Sequence, residues 1–204
     1  SSYAILNTVN PNLLDFTFGI NKVSVGFTPA DIDSDTPHTA VGGKYCIKQN
    51  NPSGGKGFTG GEVWGNDTAT RSQLSAAPIN ASFNNSSCTS VGQSGCTSAT
   101  NLNTSGVQKL RTACPSCEII ITGGTECWLH SASTAHGQGS SIVDLRNDSS
   151  VPNLKAFVEA PANLKGSLPG WGTLYVVNGI EFVNEGNHYH VWGWNSDHEA
   201  KYPQ

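Results

Sequence analysis

Four of the six histidines fall in two short stretches, and any fold this chain adopts must accommodate both. The first, Ile119 to Asp144, reads I-I-I-T-G-G-T-E-C-W-L-H-S-A-S-T-A-H-G-Q-G-S-S-I-V-D and carries Glu126, His130, His136 and Asp144. The second, Glu185 to Trp194, reads E-G-N-H-Y-H-V-W-G-W and carries Glu185, His188 and His190. His188 and His190 have strand spacing, so both imidazoles leave the backbone on one face. Two imidazoles on one face of a half-buried strand cost free energy unless they are hydrogen-bonded or ligating. A lone H-x-H is explained equally well by solvent-facing histidines. The second pair, His136 with Asp144, shifts the balance. Neutral imidazole and carboxylate are the usual ligands of a catalytic zinc, three from the protein with a fourth position open. The two stretches are therefore expected to meet around one metal ion, zinc.

Six cysteines at 46, 88, 96, 114, 117 and 127 in a polar chain without methionine point to three disulfides and an oxidising compartment. Zinc is the competing reading of Cys114-Pro-Ser-Cys117, but no second pair lies at zinc-ribbon spacing. Cys88 with Cys96 and Cys114 with Cys117 are natural local pairs. Cys46 and Cys127 could exchange with either. Asn-x-Ser/Thr sequons at Asn66, Asn80, Asn84, Asn85, Asn103 and Asn147 fit the same secreted, glycosylated setting. Charged residues make up only 13% of the chain and the net charge is −4, with no basic run, so neither nucleic acid nor an anionic membrane is an expected partner. No apolar run approaches the roughly 18 residues of a membrane helix. No leader precedes Ser1, and the chain reads as a mature, processed, monomeric form.

Its 204 residues fit one domain. Residues 1–103 read as a strand- and loop-rich, glycosylated part, and 104–204 as the catalytic core. Phe16-x-Phe18 and Val23-x-Val25-x-Phe27 alternate as strands around a Gly-Ile-Asn-Lys turn. Asp31-Ile-Asp-Ser-Asp35 reads as a solvated acidic turn, because a calcium loop needs a Gly and a closing Glu that are missing. Residues 63–103 read as long loops pinned by Cys88 and Cys96. From Thr104 the pattern predicts a short helix to Ala113, a buried strand over 118–122, and a strand over 141–145 with Ile142 and Asp144 on one face. A helix over 153–160 and a Gly/Pro-rich loop over 161–172 follow. Asn178-Gly179 is a type I′ hairpin signal between 174–177 and 180–183, and 188–191 is the last strand. The fold class is α+β: a small antiparallel sheet, few short helices, many loops and disulfide staples.

H-x-x-G followed by an Asp, then a C-terminal E-x-x-H or H-x-H, resembles the LAS-type zinc metallopeptidases. These comprise D-Ala-D-Ala metallopeptidases, lysostaphin-type endopeptidases and the hedgehog-like fold. The run I-T-G-G-T-E…H…S-x-x-H…G…D is also similar to small phage and bacterial proteins of that group. The resemblance covers residues 105–195. It implies His136 and Asp144 as zinc ligands, with His190 or His188 as the third. In the D-Ala-D-Ala pattern Glu185 is the base and His188 the ligand; in the lysostaphin pattern His190 is the ligand and His188 the catalytic partner. The spacing from His136 to Asp144 is one residue longer than in the family. That flips side-chain direction unless a bulge in Gly-x-Gly-Ser-Ser absorbs it. The implied activity is zinc-assisted hydrolysis, with Glu185 or His188 moving the proton and a peptide bond of bacterial cell-wall peptidoglycan as substrate.

Two other classes fit the residues. A metal-independent, muramidase-like glycoside hydrolase would use two of Glu126, Asp144 and Glu185 on the glycan of the same polymer. A carbohydrate-binding protein without activity would stack sugar rings on Trp171, Trp192 and Trp194, although core packing explains those tryptophans too. His130 could support a ligand imidazole, and Glu126 could orient the Gly123-Gly124 turn or line the cleft. His38 and His198 read as solvent residues.

Overall fold

The computed structural model describes residues 13–18, 21–26, 63–130 and 136–193. The expected N-terminal hairpin is present: β1 (Leu13–Phe18) pairs antiparallel with β2 (Asn21–Gly26). The acidic turn at 31–35, Phe27, His38, Cys46, Trp194 and His198 lie outside the described residues. The remaining elements are α1 (Thr68–Ser75), β3 (Ser82–Phe83), α2 (Ser105–Ala113), β4 (Ile120–Gly123), β5 (Val143–Arg146), α3 (Pro152–Val158), β6 (Leu164–Leu168), β7 (Gly172–Val177), β8 (Ile180–Asn184) and β9 (His188–Gly193). Strands β3 to β9 form one seven-stranded sheet in the order β3-β4-β5-β9-β8-β7-β6. Only the β3–β4 pair is parallel; the rest is antiparallel, as an α+β fold with hairpin connections requires.

Side-chain alternation divides the sheet into two faces. Val143 and Leu145 of β5, Ile180 and Phe182 of β8, and Tyr189 and Val191 of β9 enter the main core. Val107 and Leu110 of α2 and Leu154 and Val158 of α3 complete it. Truncating one such fully buried leucine to alanine costs about 2–5 kcal/mol. The intervening residues Asp144, His188, His190 and Trp192 belong to the opposite face by the same alternation.

Local chemistry sets the helix ends. Helix α2 starts where Asn103 Oδ1 accepts the Ser105 N–H at 3.1 Å. It stops at the Cys114–Cys117 disulfide, where Arg111 donates to the carbonyls of Cys114 and Pro115 just past the last turn. Helix α3 has Pro152 in its first turn, and Glu118 accepts the N–H groups of Asn153 and Leu154 from outside the helix. Asn178 and Gly179 both take positive φ, 51° and 69°, and close the β7–β8 hairpin as the Asn-Gly signal predicts.

Two expectations need correction and one is incomplete. Residues 63–103 are mainly loop, as expected, but α1 and β3 also lie there, and Leu74, Ile79, Ala81, Ala99 and Leu102 belong to the main core. Few apolar side chains suffice because buried Asp67 organises the segment, accepting from Arg71 Nε at 2.8 Å, Ser87 Oγ at 2.5 Å and the Ala99 N–H at 2.9 Å. The 161–172 loop contains β6, an edge strand whose Gly166 (φ 138°) and exposed Leu164 mask the strand signal. The sequon at Asn147 is not a surface site: the residue is buried and its amide donates to Asn184 Oδ1 at 2.9 Å. Asn66, Asn80, Asn84 and Asn103 are exposed, and Asn85 is half-buried.

Both local disulfides are formed, Cys88–Cys96 and Cys114–Cys117, which removes the zinc reading of the latter pair. Cys127 is also disulfide-bonded. No helix among the described residues is long and apolar enough to cross a membrane.

Candidate metal centre

Strand register brings the two histidine-bearing stretches together. In the β5–β9 pairing Asp144 lies directly opposite His190, and Arg146 opposite His188. Gly123 of β4 lies on the other side of Asp144, with a register irregularity between Ile121 and Gly123. The bulge expected in 137–141 is thus in β4 instead. His136 is joined to β5 through a turn at 137–140, where the Ser140 N–H donates to Gly137 O and Gly139 adopts φ 86°.

Asp144 is the hub. His136 Nε2 and His190 Nδ1 lie 3.2 and 2.9 Å from its Oδ1. His130 Nδ1 and His188 Nε2 lie 3.3 and 3.6 Å from its Oδ2. His130, His136 and Asp144 each bring one donor atom within 4.8 Å of the others, a group that could hold a metal ion. The expected ligands His136, Asp144 and His190 do converge, and His130 joins them more closely than its sequence position suggests. Glu185 stands at the rim, half-buried, with Oε2 3.6 Å from His188 Nε2. His188 Nδ1 is 2.6 Å from Asn187 Oδ1.

Gly123 and Gly124 make the floor. A Cβ on Gly123 would lie 2.6 Å from both Asp144 Oδ2 and His130 Cε1, and one on Gly124 would run into the Ser98 carbonyl oxygen. Glu126 sits beneath, 1% exposed, accepting the Ser98 N–H at 2.5 Å and the Gly124 N–H at 2.9 Å. Its Oε1 also lies 3.1 Å from His130 Nε2. Ser98 is fixed in turn by Thr125 Oγ1 and by Trp64 Nε1, and Trp64 packs edge-on against Trp128 beside the Cys88–Cys96 disulfide. Ser98 and the Gly124 carbonyl carry no sequence signature of their own; the Gly-Gly pair is the one legible sign that backbone and site approach each other here.

The hydrogen-bond pattern sets the tautomer of His136. Its Nδ1 lies 2.6 Å from the Gly124 carbonyl oxygen, an acceptor only, so Nδ1 carries the hydrogen. Nε2 then turns its lone pair toward Asp144 Oδ1, another acceptor. A positive group, a proton or a metal ion, must lie between them. His190 Nε2, in a side chain 0% exposed, has no hydrogen-bond partner among the described residues.

Burial alone would push the Asp144 carboxyl up. The neighbouring His136 and the hydrogen bonds with His130, His136 and His190 outweigh it and hold it well below the usual carboxylate range. Burial works against protonated His130, but the hydrogen bonds and charges of Asp144 and Glu126 raise its pKa to about 9. Burial dominates at His190 and lowers its pKa to about 4, against the pull of Asp144. Burial, helped by the charge of Asp144, raises the Glu185 carboxyl despite nearby His188.

Of the three carboxylates considered for glycoside hydrolysis, Glu126 is sealed beneath the site and Asp144 is enclosed by imidazoles. They leave no accessible carboxylate pair with Glu185. Trp171 and Trp192 lie 5.0 Å apart, each 6.0 Å from His190, and pack on Leu168, Leu174 and Val183. They read as packing first and as one wall of the site second. Compared with protein-family models, curated proteins and solved structures, the chain matches none.

Proposed function

We propose that the protein is a zinc-dependent hydrolase, with the ion held by His136 Nε2, His190 Nδ1 and Asp144 Oδ1. One observation carries the reading: two imidazole nitrogens, His190 Nδ1 and His136 Nε2, converge on a single carboxylate oxygen of Asp144, at 2.9 and 3.2 Å. A tetrahedral ion with bonds of about 2.0–2.2 Å sets its ligand atoms roughly 3.3–3.6 Å apart, so these donors need to part by only a few tenths of an ångström to take one. Ring orientation favours His190 over His130 as the third ligand. His130 and His136 are stacked, 3.5 Å apart and 13° from parallel, so their in-plane lone pairs run side by side. His136 and His190 are 5.0 Å apart and tilted by 57°, which lets their lone pairs converge. Two imidazoles and a carboxylate are a ligand set that catalytic zinc takes.

When bound, the ion supplies Lewis acidity, polarising a carbonyl and acidifying water toward a pKa of about 7. The chain's own groups do the rest. The Gly124 carbonyl and Asp144 fix the orientation of His136. Glu185, at the rim and raised by burial from its ordinary value, takes a proton and returns it to the leaving amine. His188 stands between Glu185 and Asp144 and keeps the base turned toward the site. The substrate class rests on the resemblance of H-x-x-G…D and E-x-x-H-x-H to the LAS-type metallopeptidases: a peptide bond of bacterial cell-wall peptidoglycan. The disulfides fit action outside the cell.

Elemental analysis of protein never exposed to chelator tests the centre directly; about one zinc per chain is expected, and stoichiometric absence of transition metal removes the reading. Digestion of peptidoglycan followed by mass spectrometry tests the chemistry. New amino termini lost on chelation support a peptidase. New reducing ends that survive chelation would transfer the function to a glycosidase.

A further inference from the structure

We infer that Glu126 and His130 are positioning residues that tie down Asp144 Oδ2 and so leave Oδ1 for the ion; this rests on the metal-binding reading above. Four imidazoles surround one carboxylate, and a carboxylate free to rotate could present either oxygen, or both, to an ion. His130 removes that freedom on one side, with Nδ1 3.3 Å from Oδ2. It cannot swing away, because its ring is stacked on His136 at 3.5 Å and its Nε2 is held 3.1 Å from Glu126 Oε1.

Glu126 is anchored in turn by backbone from two separate segments, the N–H groups of Ser98 and Gly124. Gly123 leaves the slot in which His130 and Asp144 meet, since a Cβ there would occupy it. The fixed frame of the 98–100 segment and the Gly-Gly turn is thereby passed through Glu126 and His130 to a single carboxylate oxygen. The arrangement favours one-oxygen, four-coordinate binding over binding through both oxygens. Groups that orient metal ligands in this way typically contribute 10- to 100-fold in affinity.

The test compares wild type, His130→Ala and His130→Asn. Zinc affinity is read by competition with a chromophoric chelator, and ligand number from the visible spectrum of the cobalt(II)-substituted protein. His130→Ala is expected to keep one ion per chain and the wild-type cobalt spectrum while zinc affinity falls about 10- to 100-fold. His130→Asn keeps an N–H near the Nδ1 position and should regain part of the loss. Glu126→Ala should weaken zinc in the wild-type background yet add nothing on His130→Ala, because it acts through His130. If Glu126→Ala does not fold, the two His130 variants decide alone. Wild-type affinity in His130→Ala overturns the inference, as does a changed cobalt spectrum, which would make His130 a ligand. A wild type that binds no metal overturns the metal reading itself and this inference with it, an outcome distinct from both.

Discussion

With its metal removed, the protein should lose stability as pH rises from about 6.5 to 9, and His130 supplies the slope. In the fold its imidazole lies between Asp144 Oδ2 and Glu126 Oε1, and its side chain is 13% exposed. Its pKa is raised from 6.5 to about 9. A group whose folded pKa is raised contributes stability that is complete below the unfolded value and is lost as pH climbs through the folded one. At about 1.4 kcal/mol per pH unit, the interval from 6.5 to about 9 amounts to about 3.5 kcal/mol. The opposite sign applies to His190. Its pKa of about 4 gives stability that is present above 6.5 and lost as pH falls toward 4, so it adds no slope in the alkaline window. Urea unfolding in chelator at half-unit steps of pH measures the difference, and because the pair is buried the slope should persist in salt. Asp144→Asn removes one of the two carboxylates responsible and should shrink the slope. A wild-type stability that is flat or rising between pH 6.5 and 9 would refute the charge assignment at His130.

Glu185→Gln should retain zinc and lose about 10²- to 10⁴-fold in turnover, whereas His190→Ala should lose metal and activity together; paired metal and product assays separate the two. Gly124→Ala drives a Cβ into backbone at Ser98 and should mainly lower thermal stability, by about 1–3 kcal/mol or more. Gly123→Ala instead displaces Asp144 and His130, so its larger effect should be on zinc affinity, which a chelator competition alongside a melting curve would show. Asp67→Ala removes the acceptor of the buried Ala99 N–H, together with the bonds from Arg71 and Ser87, and should cost about 1–3 kcal/mol in urea unfolding. Thiol titration of the denatured, unreduced protein should find no free cysteine.

Sequence alone determined what depends on near neighbours. H-x-H at strand spacing puts His188 and His190 on one face whatever the sheet does, because side chains alternate along any strand. Asn178-Gly179 forces a hairpin because both residues tolerate positive φ. Cys88–Cys96 and Cys114–Cys117 close because they are short loops. Helix α2 follows from its apolar spacing and β5 from its phase. Tertiary structure decided everything that depends on register and on partners far along the chain. That Asp144 faces His190 is a property of the β5–β9 pairing, and a slip of one residue would turn them apart. The burial of Glu126 follows from Ser98, 28 residues away, whose backbone N–H no sequence pattern reveals. His130 reads as a loop histidine until the Gly123-Gly124 floor stacks it on His136. Asn147 reads as a glycan site until Asn184 buries it. Edge strand β6 hides in a Gly/Pro-rich run because an edge tolerates residues that a central strand does not. Local propensity acts over a few residues, whereas a charge network closes only when the sheet has brought its members within hydrogen-bond reach.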